Sequence, residues 1–169
     1  MKKYLLFAAT LFSIYTNAQH DHLSPSRSTV DQTLAPFYHG VASGDPLSDR
    51  VILWTRITSS NNTETVGWQI ATDTNFTTVI NSGSVTTDSS KDYTVKVDVT
   101  GLQPNTWYYY RFSNNGTNSI TGRTRTMPTG NVSNLRFAVV ACSNYQSGYF
   151  NAYRDIANKN DVDAVIHLG

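Results

Sequence analysis

The chain has one cysteine in 169 residues, Cys142, so no disulfide can form within it. That thiol lies in a run that reads as a buried strand, RFAVVACSNY from Arg136 to Tyr145. It stands where α/β enzymes place their chemistry, and is therefore either core filler or a ligand. Charge is scarce too: 15% of residues are charged and the formal net charge is +1. Lysines and arginines are scattered and form no basic patch, so nothing points to nucleic-acid recognition. Long apolar runs are lacking. The N-terminal run Tyr4 to Ile14 falls well short of the roughly 20 residues a membrane-spanning helix needs, so no membrane anchor is expected. No cysteine follows that run, which excludes a bacterial lipoprotein anchor.

What the N-terminus does contain is an export signal. Lys2 and Lys3 form a positive region, Tyr4 to Ile14 an apolar one, and Thr16-Asn17-Ala18 a small-residue cleavage site before Gln19. Residues 1–18 are read as a Sec-type signal peptide, and the mature protein as secreted or periplasmic. Residues 19–36 have no apolar period and are dense in Ser, Thr and Asp, so a disordered leader is expected there, His20 and His22 included.

Residues 37–127 change pattern to short strands separated by turn chemistry. Tyr93, Val95, Val97 and Val99 alternate with Thr94, Lys96 and Asp98, and Val66, Trp68 and Ile70 alternate likewise, which implies one buried face. Arg50 to Ile57 is apolar on both parities through Ile52, Leu53 and Trp54, as in a central strand with Trp54 in the core. Asn115-Gly116 is the preferred type I′ hairpin dipeptide. Several short strands with regular turns predict an antiparallel β-sandwich. Leu102, Pro104, Thr106, Tyr108 and Tyr110 fall at alternate positions and resemble the fibronectin type III motif around its tyrosine corner, with Tyr108 as the corner residue. Tyr109 reads as ordinary strand filling.

Residues 128–134, rich in Pro, Gly, Asn and Ser, read as a linker. Beyond it, residues 135–169 show a near-continuous apolar run to Cys142, helical spacing over Tyr149 to Asn158, and a second apolar run from Val162 to Leu168. Strand, helix and strand make a βαβ unit with parallel strands, the beginning of a doubly wound α/β domain. Alone, such a unit leaves a sheet face and two edges bare, so this part is expected to be truncated.

Two segments then match something specific. Phe37 to Arg56 (FYHGVASGDPLSDRVILWTR) resembles the start of the alkaline phosphatase D family, and Arg136 to Gly169 resembles the opening of that family's metallophosphoesterase domain. The sandwich between them is similar to the family's fibronectin-like N-terminal domain. The resemblance implies an exported phosphoesterase acting on phosphomonoesters and phosphodiesters. It also implies iron and calcium at the site, with Cys142 as the iron thiolate. Asn144, two residues on, is the neighbour considered for a supporting role at the site. In the family the strand resembling DAVIHLG is followed by a metal-bridging aspartate and further ligands, and the sequence stops before it. No residue here is assigned a catalytic role. The chain as written is expected to be inactive, needing the rest of the catalytic domain. Lys2-Lys3 also departs from the twin-arginine signal of many members.

Other candidates read as structural. Gly40 to Gly44 are strand-edge residues before an Asp45-Pro46 turn, with no helix following to hold a phosphate. His39 and His167 are taken as hydrogen-bonded strand histidines, and Asp45 and Asp49 as turn residues. Two competing classes remain: a secreted fibronectin-like binding module, and a relative of purple acid phosphatases. Cys142 argues against the second, which would place an aspartate-led motif after the first catalytic strand.

Overall fold

The computed structural model describes residues 31–143 and 150–169. The signal peptide, His20, His22 and Asn144 lie outside the described residues. In chain order the strands are β1 (Val41–Gly44), β2 (Arg50–Arg56), β3 (Thr63–Ala71), β4 (Val79–Asp88), β5 (Thr94–Thr100), β6 (Trp107–Asn114), β7 (Thr117–Asn118), β8 (Gly122–Arg125), β9 (Phe137–Val140) and β10 (Ala164–His167). A helix, α1 (Asn151–Lys159), connects the last two.

Strands β1 to β8 form two facing antiparallel sheets. One has the order β1-β2-β5; the other runs β4-β3-β6-β7, with β8 also paired to β6. Between them lies a core that includes Phe37, Val51, Leu53, Val66, Ile70, Val95, Val99, Tyr108 and Phe112. The period-two pattern of β5 is realised directly, because Val95, Val97 and Val99 are buried while Lys96 and Asp98 are exposed. Asn115 and Gly116 have φ of 48° and 81°, the two positive values a type I′ turn requires, and they join β6 to β7. Gly122 in β8 lies opposite Tyr110. A methyl group on its Cα would run into the Tyr110 ring, so the position needs glycine for close approach.

Two expectations are corrected. Trp54 is not in the core: Val51, Leu53 and Thr55 are buried, whereas Ile52 and Trp54 are only half-buried. Strand β2 is central and paired on both edges, but a sandwich sheet has only one inner face, so its even-numbered apolar residues lie on the outer one. The last residues of the expected disordered leader are ordered. Asp31 caps a short 3-10 turn, Gln32–Leu34, by accepting the Thr33 N–H at 2.9 Å. The Pro36 carbonyl accepts the Thr58 N–H at 2.9 Å, tying this stretch to the sandwich.

In the C-terminal segment β9 and β10 pair in parallel, from Phe137 opposite Ala164 to Val140 opposite His167. The paired stretch is shorter than the apolar runs. Phe137, Val139, Val165, Ile166 and Leu168 are exposed, as bare faces of a two-stranded sheet would be. The segment touches the sandwich through Arg125, whose Nη1 donates to Asp163 Oδ1 at 3.0 Å.

Candidate functional site

The carboxyl ends of two parallel strands lie side by side at Cys142. Hydrogen bonding continues past the strands themselves, with Leu168 N–H donating to the Val140 carbonyl at 2.9 Å and Cys142 N–H to the Gly169 carbonyl at 2.6 Å. Cys142 has φ of 57°, a left-handed conformation that costs a residue with a Cβ on the order of 1 kcal/mol. The chain bends sharply there and the thiol is free and exposed. The residue sits where open α/β sheets place ligands.

Beside it is a cluster that sequence reasoning did not find. Ser143 Oγ lies 3.0 Å from His167 Nε2 and is hydrogen-bonded to the Tyr153 hydroxyl. The Tyr153 and His167 rings are stacked, 5° from parallel with centroids 6.4 Å apart. Gly169 N–H donates to His167 Nδ1 at 3.0 Å, which places the ring hydrogen on Nε2, donating to Ser143. With that tautomer His167 cannot take a proton from Ser143; it orients the residue next to Cys142. His167 is thus hydrogen-bonded through both nitrogens, in keeping with the structural role expected of it.

Iron and calcium are implied by resemblance, and the described donor set can be set against them. Among the described residues no group of three or more His, Cys, Asp or Glu side chains is placed to hold a metal ion. Near the strand ends Cys142 is the sole thiolate donor described, and both His167 nitrogens are engaged. These residues do not form a metal centre by themselves, since a metal centre needs several ligands.

The sandwich candidates are structural. His39 contacts Arg56, which also makes a bidentate pair with Asp92 at 2.9 and 2.7 Å. Gly40 to Gly44 lead into and form edge strand β1, and Asp45 turns the chain with φ of 47°. Asp49 accepts Arg50 Nε at 3.2 Å and its carbonyl caps the Leu102 N–H. Tyr108 makes the corner, its hydroxyl accepting the Gln103 N–H at 2.8 Å. A buried carboxylate went unnoticed in the sequence: Glu64 accepts from Ser59, Asn61 and Asn114 at 2.5, 2.7 and 3.0 Å. Those bonds, the Ser59 hydroxyl first, hold its carboxyl below the ordinary value. The network ties the loop ahead of β3 to the end of β6.

An all-β module with a tyrosine corner, followed by parallel strands whose ends present an exposed thiol, defines a fibronectin-like sandwich placed ahead of an α/β unit. Residues 22–128 match the PhoD-like phosphatase, N-terminal domain, and residues 137–169 match the PhoD-like phosphatase. Alkaline phosphatase D of Bacillus subtilis (strain 168) is 40% identical over 144 residues, covering 79% of this chain and 24% of that protein. The solved structure of PhoD superposes with a TM-score of 0.74 at 38% identity, over 86% of this chain and 29% of that one. The chain belongs to the PhoD-like phosphatase family. It spans 24% to 29% of the length of these relatives, taking in the N-terminal domain and the beginning of the phosphatase domain.

Proposed function

We propose that this chain is the N-terminal portion of an exported phosphoesterase that hydrolyses phosphomonoesters and phosphodiesters. Were iron and calcium bound, Cys142 would supply a thiolate to the iron, calcium would neutralise phosphate oxygens, and Asn144 would be the neighbour in a supporting role. The observation that carries this reading is the exposed Cys142 at the carboxyl end of β9, inside the segment that matches the phosphatase domain. Bound iron would activate a water molecule; in this chain the Tyr153 and His167 side chains orient Ser143, the residue next to Cys142. The sandwich shapes and supports the site without performing chemistry. Export follows the Sec route from residues 1–18, and among the described residues no helix is long and apolar enough to cross a membrane.

Among the described residues no group of three or more His, Cys, Asp or Glu is placed to hold a metal ion, and the 169-residue chain is expected to be inactive alone. The test uses p-nitrophenyl phosphate with iron and calcium present, on this chain and on one extended to the length of the relatives. The extended protein turns over substrate and binds iron, measured by elemental analysis, and its Cys142→Ala variant loses both. Iron retained in full by Cys142→Ala overturns the ligand assignment. Activity in the short chain that Cys142→Ala abolishes overturns the incompleteness of the site.

A further inference from the structure

One carboxylate ties the start of both parallel strands to the sandwich. Asp163 immediately precedes β10, and its Oδ2 accepts the N–H of Arg136, which immediately precedes β9, at 2.9 Å. Asp163 N–H donates in turn to the Arg136 carbonyl at 2.8 Å. Its Oδ1 takes the 3.0 Å bond from Arg125, the last residue of β8. Arg125 is itself fixed, because Nη2 donates to Asn105 Oδ1 at 2.6 Å and the guanidinium lies 5.2 Å from the Trp107 ring.

Two cavities border this contact between the two parts. A cavity of about 170 Å³ lies on one side, lined in part by Pro46, Met127, Leu135 and Phe137, and one of about 340 Å³ on the other, lined in part by Asp45, Trp107 and Val165. Arg125 and Asp163 line both, so the ion pair stands between two gaps where apolar packing is incomplete. Each side chain is 30% exposed, in contrast to the Lys159–Asp155 pair at 61% and 62%. Water screens this partly exposed pair less than the more exposed Lys159–Asp155 pair, and a fully exposed pair contributes little.

We infer that Arg125 and Asp163 form an interdomain lock that fixes the orientation of the parallel strand pair on the sandwich. They are positioning residues, at the end of the strands opposite Cys142, and the lock operates whether or not the strand ends bear a phosphoesterase site.

Pulsed electron–electron resonance reads the orientation directly, with one spin label on the native Cys142 and one on an introduced Ser84→Cys, an exposed position in β4. Arg125→Leu removes the cation, and Asp163→Asn removes the charge while keeping an oxygen for the Arg136 N–H. The parent is expected to give a single narrow distance distribution, each variant a broadened one, and the double variant one no broader than either, as for two partners of one interaction. A parent already broad, single variants as narrow as the parent, or a double variant broader than both singles each overturns the lock. Near-UV circular dichroism checks that the sandwich is folded. Should Arg125→Leu fail that check, Asn105→Gly replaces it, since glycine suits the φ of 52° there and removes the oxygen that holds Arg125. Broadening is expected again, and a narrow distribution overturns the lock.

Discussion

Replacing Tyr108 by phenylalanine isolates the bond that makes the corner of the sandwich. Tyr108 is 2% exposed, so the ring stays in place and only the oxygen is lost. The Gln103 N–H, 2.8 Å from that oxygen, is left without its acceptor. A buried orphan donor costs about 1–3 kcal/mol, but Gln103 is exposed and water can partly replace the hydroxyl, which puts the loss near the lower limit, about 1 kcal/mol. For a domain of this size such a loss lowers Tm by roughly 4–8 °C. The assay is a pair of urea and thermal melts followed by circular dichroism, with Tyr109→Phe as control. Tyr109 sits beside the corner in the same strand and is only half-buried, so its variant is expected to stay within about 0.5 kcal/mol of the parent. Coincident melts for the two variants would show that the corner bond contributes nothing and that the sandwich is held by apolar packing alone.

Four further outcomes follow from the core, the titratable groups and the thiol. Leu53→Ala, at a fully buried position between the sheets, should destabilise the sandwich by about 2–5 kcal/mol in denaturant melts; a cost under about 1 kcal/mol would mean that the sheets close over the gap. Burial pushes the Tyr110 phenol up to about 12, so its neutral form is the one the fold favours; stability should be complete below a pH of about 10 and fall as pH rises through about 12, and a melt series flat across that window would contradict it. Glu64 has the opposite sign, its hydrogen bonds favouring the charged form, so its contribution is present above the ordinary carboxylate value and lost as acid protonates it; Glu64→Gln should flatten that acid limb. Cys142 should react with a chromogenic disulfide reagent as completely in the native chain as in denaturant, and protection in the native chain would contradict its exposure.

Local chemistry was readable from the sequence wherever one residue type at one spacing has one physical meaning. The alternation ending at Val99, the Asn115-Gly116 turn and the Tyr108 corner are of that kind, and so is the change of period after residue 134. Trp54 misled because an apolar run on both parities signals burial on two faces, and only the assembled sandwich shows which face a half-buried tryptophan occupies. Neither the Ser143, Tyr153 and His167 cluster nor the Arg125–Asp163 pair was readable as a unit. The cluster depends on the register of β9 against β10, about which continuous apolar runs carry no information, and the pair depends on how β10 docks on the sandwich. Ser143 had one available signal, its adjacency to Cys142.

Gly122 links two positions in any future drift of this sequence. No side chain, not even a methyl, can grow at residue 122 while the Tyr110 ring occupies the space above it. The order of substitution is therefore fixed: Tyr110 has to shrink first, leaving a void in the core, before residue 122 can enlarge to fill it. Each step alone is harmful and only the completed exchange restores packing, which makes this contact a barrier that mutation crosses in pairs.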